Sequence, residues 1–99
     1  MAVLITTDIP GGSEQQDRQM MQEMNIASNP PVGAICRAGA VIPGGYRIMS
    51  LWESREDFEE FFKNRVQPAA ARIGMKPGRY EVLGVVNVNV QQRQTAGVR

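Results

Sequence analysis

Apolar positions along the chain alternate between short runs of period two and longer runs at helical spacing, and the changes of period mark the elements. Val3 to Thr7 is a β-branched run closed by the turn cluster Asp8-Ile9-Pro10-Gly11-Gly12, which predicts a strand and its exit. Ser13 and Gln16 form a Ser-x-x-Gln capping box, so a helix is expected from about Glu14 to Asn25. Its apolar stripe is thin, with Met20, Met21 and Met24 among glutamines and charges; adaptable thioethers in such a stripe read as core filling before they read as a ligand site. Asn29-Pro30-Pro31 closes that segment, because a residue before proline avoids the helical region. Val32 to Ile42 and Tyr46 to Trp52 then read as two strands of an antiparallel hairpin turned at Pro43-Gly44-Gly45. Ser54 caps the next helix, Arg55 to Gly74, whose stripe is Phe58, Phe61, Phe62, Val66, Ala69, Ala70 and Ile73. Acids lie at its start and bases later, as the helix dipole favours, and Pro68 predicts a kink near Val66-Gln67. Arg79 to Val90 is the last expected strand, and the polar stretch 91–99 is expected to fray.

The order β-α-β-β-α-β predicts an α+β fold, the ferredoxin-like plait, with a four-stranded antiparallel sheet and both helices on one face. With no repeat and no internal linker, residues 1–90 form one expected domain and 91–99 a polar C-terminal tail. The strands carry apolar residues on both faces. Met49 and Leu51 oppose Tyr46, Ile48 and Trp52, while Leu83 and Val85 oppose Val82, Val86, Val88 and Val90. Helices can cover only one face, and burying a Val or Ile side chain is worth roughly 1.5–3 kcal/mol. The economical second cover is another copy of the chain, sheet against sheet, giving a homodimeric α/β barrel with Val82, Val86, Val88 and Val90 as candidate interface residues. The competing expectation is a monomer with a wet, partly apolar face.

Composition narrows the chemistry. Of 99 residues, 42% are hydrophobic and 21% charged, an ordinary globular balance. A net charge of +1 argues against nucleic acid as a partner, and no apolar run reaches the roughly 20 residues of a membrane span. No signal peptide is recognised at the start, so a reducing, cytoplasmic setting is the expectation. One cysteine and no histidine leave no intrachain disulfide, no common zinc pattern and no Ser-His-Asp or Cys-His arrangement. Any activity is therefore expected to need neither metal nor cofactor. Gly11-Gly12 before a helix lacks the spacing of a phosphate loop.

The stretch Gly45-Tyr46-Arg47-Ile48-Met49-Ser50-Leu51-Trp52-Glu53-Ser54-Arg55-Glu56-Asp57-Phe58-Glu59-Glu60-Phe61 resembles the dimeric α/β-barrel superfamily. There a strand ending in Trp-Glu-Ser runs into an acidic helix start with an aromatic a few residues on. Arg65-Val66-Gln67-Pro68-Ala69 is similar to the continuation of that helix in small members. The superfamily includes cofactor-free monooxygenases of the antibiotic-biosynthesis type, polyketide cyclases, haem-degrading enzymes, chlorite dismutase-like proteins and stress-responsive proteins, so the resemblance speaks for fold before reaction. It implies a small-molecule pocket in each subunit. In the quinone-forming monooxygenases an Asn four residues before the strand-end Trp, that Trp, and an aromatic six residues after it line the cavity. The corresponding positions here are Ile48, Trp52 and Phe58, so the amide is replaced by a side chain that cannot hydrogen-bond. Haem-binding relatives use an axial histidine, which this chain lacks.

Several residues carry two readings. Trp52 is a cavity wall or a core residue at a strand-helix junction. Arg37 pairs with Glu53 or Glu81 across the sheet, or points into a pocket toward an anion. Tyr46 and Tyr80 begin strands, as amphipathic anchors or as phenolic donors. Asn87 and Asn89 share a face, for a dimer rim or for a ligand. Cys36 reads as a small buried hydrophobe, with no partner to activate it. The candidate cavity set is Arg37, Tyr46, Ile48, Trp52 and Phe58. The reading these support is a dimer that binds a modest, largely apolar or aromatic molecule. The alternatives are a monooxygenase-like or cyclase-like catalyst on an aromatic polyketide-type substrate, and a structural module whose interior is filled by its own side chains.

Overall fold

In the computed structural model, residues 1–89 are described, and each helix begins where its capping serine puts it. Ser13 Oγ accepts from the Gln16 amide at 3.2 Å and opens α1, Glu14–Glu23; Ser54 Oγ accepts from the Asp57 amide at 3.1 Å and opens α2, Arg55–Phe61. The strands are β1 (Val3–Pro10), β2 (Ala34–Ile42), β3 (Gly45–Trp52) and β4 (Arg79–Gly84). They pair antiparallel in the order β2-β3-β1-β4, the sheet of the βαββαβ plait. The β2-β3 hairpin turns through Pro43 and Gly44, whose φ of 79° is open to glycine at little cost.

Where the helices end is equally local. After α1, Asn25 takes a positive φ of 56°, its amide donates to the Gln22 carbonyl at 3.0 Å, and the Ile26 amide reaches Met21 at 3.2 Å. The same pair of bonds closes α3, Gln67–Arg72: Gly74 (φ 72°) donates to Ala71 at 3.4 Å and Met75 to Ala70 at 2.8 Å. These are Schellman caps, and in such caps the residue after the left-handed one folds back on the helix. The helix expected over Arg55 to Gly74 is interrupted by a π-helical stretch, Phe62–Val66, ahead of Pro68, so the predicted irregularity is a widened turn.

The helices cover one face of the sheet. Val3, Ile5, Trp52 and Phe58 form one buried cluster there, with Phe61, Phe62, Tyr80 and Val82 packed on it. Met20, Ala69 and Ala70 form a second, where α1 crosses α3 on small side chains.

Several expectations are corrected. The last strand stops at Gly84, and among the described residues only the Val85 amide continues its ladder, donating to the Ala2 carbonyl at 3.0 Å. Val82 pairs with Ile5 and packs on the helix-covered cluster, so it cannot serve an interface on the other face. Val86, 99% exposed, and Val88, 49% exposed, follow the end of β4 with Asn87 and Asn89, so strand alternation does not set their faces. Val90 and the tail 91–99 lie outside the described residues. Cys36 is exposed on edge strand β2, just after an irregularity in its register. The uncovered face carries Leu4, Met49, Leu51 and Leu83 at its centre, and an Arg47–Asp8 ion pair at one end, Nε to Oδ1 2.6 Å.

Candidate functional site

Strand alternation sends Tyr46, Ile48, Ser50 and Trp52 of β3 toward the helices, and the two buried clusters leave space between them. That space is a cavity of about 260 Å³. Arg37, Tyr46, Ile48, Trp52 and Phe58 all line it. One wall is aromatic: Trp52 meets Phe58 edge-on at 5.4 Å between centroids and Phe61 at 5.2 Å, and Phe58 meets Tyr80 at 4.9 Å. The facing wall is soft, made by Met20 and Met21 of α1 and its C-cap Met24, with Ile26 and Met75 supplied by the two Schellman caps. The π-helical stretch contributes Phe62 and Val66.

One corner is polar. Asp17 of α1 takes both terminal nitrogens of Arg37, with Nη1 to Oδ2 at 3.1 Å, a forked pair across from β2. Tyr46 Oη donates to the same carboxylate at 3.4 Å, a long bond. Arg37 thus finds its partner on α1 rather than at Glu53 or Glu81, while still lining the cavity. Tyr46 is 5% exposed, so it is no half-wet anchor. Burial first, and then the nearby Asp17 charge and hydrogen bond, hold its phenol above the ordinary tyrosine range, with Arg37 opposing. Away from this corner, Ser50 Oγ accepts the Trp52 indole N–H at 2.9 Å.

Sequence reasoning missed Asp17 and Ser50, although both left a signal. Asp17 precedes Met20 and Met21 by three and four residues, on the face of the methionine stripe. Ser50 alternates with Ile48 and Trp52. Among the described residues no group of three or more His, Cys, Asp or Glu could hold a metal ion, and no helix is long and apolar enough to cross a membrane.

No protein-family model matches the chain, and neither does any curated protein. Solved structures do match. One from Chloroflexus aurantiacus, assigned as an antibiotic biosynthesis monooxygenase, superposes with a TM-score of 0.62 at 15% identity, over 91% of this chain and 98% of that one. The fold is that of the antibiotic biosynthesis monooxygenase-like proteins. SnoaB of Streptomyces nogalater, a cofactor-independent oxygenase, shares this monooxygenase-like fold with a TM-score of 0.60 at 8% identity, over 88% and 94% of the two chains. MhuD, solved with two manganese protoporphyrin IX bound per active site, gives 0.56 at 17% identity over 93% and 100%. At such identities the likeness establishes the monooxygenase-like fold, and the side chains of the cavity must speak for themselves.

Proposed function

We propose that the cavity binds a small, largely apolar molecule, that the chain works as a homodimer joined through the uncovered sheet face, and that any chemistry it performs needs no cofactor. The observation that carries the reading is the cavity itself: an aromatic wall facing a methionine wall, with one polar corner, is the composition of a small-molecule site. A filled structural module would have closed this space with side chains. The monooxygenase-like fold adds support, since SnoaB in the same fold is a cofactor-independent oxygenase. Porphyrin binding of the kind seen in the MhuD complex would have no histidine ligand here, because the sequence contains none.

A catalytic role is favoured by one feature. Asp17, Arg37 and Tyr46 converge on the cavity as one linked polar corner, a fixed set of charges and dipoles whose field acts on a guest bound beside it. Ile48, standing where the quinone-forming enzymes carry an amide, supplies no such group.

Native mass spectrometry of freshly purified protein tests the reading, because it reports subunit number and retained small molecules together. A dimer carrying extra mass of a few hundred daltons, lost on denaturation, is the expected result. A monomer would remove the assembly half of the proposal. A dimer that takes up no member of an apolar compound set would remove the binding half.

A further inference from the structure

Resting on the binding reading above, we infer that the cavity selects uncharged molecules carrying a carbonyl oxygen, with Ser50 as the donor to that oxygen and the Asp17–Arg37 pair as the element that rejects free anions.

Among the described residues, Asp17 and Arg37 are the only charged side chains on the cavity wall, and each is the other's partner. The fork of Arg37 is engaged by both carboxylate oxygens, and the Asp17 side chain is only 13% exposed. A ligand carboxylate entering here meets a guanidinium already neutralised and a like charge beside it. A charge buried without a partner is strongly disfavoured. A neutral ligand escapes both penalties.

Ser50 Oγ accepts the indole N–H of Trp52, which fixes the oxygen, and the hydroxyl's own proton has no acceptor among the described residues. A serine hydroxyl offers one donor beside its acceptor lone pairs, so this proton is free for a guest. The other hydroxyls on the wall are not equivalent. Ser13 Oγ accepts the α1 cap bond and keeps its proton, but it is exposed where Ser50 is half-buried, so water competes for it; Tyr46 donates to Asp17, and Thr7 has no side-chain partner among the described residues to fix its rotor. Ser50 lies on the central strand β3, between Ile5 of β1 and Arg37 of β2 in register, and two residues from the aromatic wall at Trp52. A carbonyl bonded there leaves its apolar body against Trp52 and Phe61.

The test uses three probes of nearly one shape: cyclohexyl methyl ketone, ethylcyclohexane and cyclohexanecarboxylate. Trp52 is the chain's single tryptophan, so its fluorescence reports occupancy directly. The ketone is expected to bind about fivefold more tightly than the hydrocarbon, the scale of one net neutral hydrogen bond, and the carboxylate more weakly than either. Ser50→Ala should bring the ketone-to-hydrocarbon ratio to about one, and Ser50→Thr, which keeps the hydroxyl, should preserve the preference. Asp17→Asn should free the Arg37 fork and raise carboxylate affinity roughly tenfold or more, since hydrogen bonds to charged groups are the stronger kind. Carboxylate binding as tight as the ketone in the unmodified protein would overturn the charge argument. A ratio unmoved by Ser50→Ala would overturn the donor assignment while leaving the binding reading standing. If no probe perturbs Trp52, the binding reading falls and this inference with it.

Discussion

The Tyr46 hydroxyl occupies space that a side chain on Gly39 would need: a Cβ built at Gly39 lies 2.8 Å from Tyr46 Cζ and closer still to the hydroxyl. Glycine on β2 therefore lets the phenol lie across the edge strand and reach Asp17. Gly39→Ala should push the ring aside and destabilise the protein by about 1–3 kcal/mol, the range for overpacking, as read from the urea midpoint. It should also change the alkaline behaviour. The folded pKa of Tyr46 is raised, so the native state holds that proton more tightly than the unfolded chain. Its stabilising contribution is complete below the ordinary tyrosine value of 10.0 and is lost as pH climbs through the higher folded value. Unfolding measured across that range should show the loss in the parent and less of it in Gly39→Ala. Part of this corner was legible beforehand: Arg37 stood out as a charge within a strand, and β alternation placed Tyr46 with Trp52. Its partner was not, because a carboxylate on an otherwise polar helix looks solvated until tertiary packing closes over it.

At the level of elements, the stretch before Pro68 is the informative case. An interior proline removes a helical hydrogen bond and costs roughly 3 kcal/mol, so a simple reading predicts a large gain from Pro68→Ala. Here the widened turn ends with the Gln67 amide donating to the Phe62 carbonyl, and Pro68 falls in the first turn of α3, where its missing N–H is tolerated. Pro68→Ala should therefore change unfolding free energy by less than about 1 kcal/mol in a denaturant titration. A gain near the full interior penalty would mean that the proline strains the helix. Element order, caps and strand pairing could be read because each is fixed by a few neighbouring residues: Ser13, Ser54, Gly44 and the alternation of β3. The end of β4 could not. Valines continue past Gly84 with unchanged β propensity, and the limit is set by pairing: the β1 partner of Gly84 is Val3, the first residue of that strand.

Across the whole molecule, the sheet face turned from the helices is apolar through residues other than the expected valines. On the uncovered face, Met49 is 41% and Leu83 45% exposed, set beside Leu4 and Leu51. If a second copy covers this face, Leu83→Glu should shift light-scattering mass from dimer to monomer while probe quenching of Trp52 persists, since Leu83 lies across the sheet from the cavity. An unchanged dimer mass would place the contact elsewhere. Two apolar sheet faces were legible in the strands; the face of Val82 was not, because which face a strand residue takes depends on a register set by its neighbour, here Val82 opposite Ile5. The two walls of the cavity also differ in kind. The sheet and α2 present rings locked by mutual stacking, whereas α1 presents unbranched thioethers that repack at low cost. Orientation and size are thus governed by separate parts of the chain. If the cavity binds a guest as proposed, exchanging Met20, Met21 or Met24 for stiffer residues would redraw the range of sizes it accepts without touching Ser50 or the Asp17–Arg37 corner, so tolerance would be tuned from α1 and its C-cap alone.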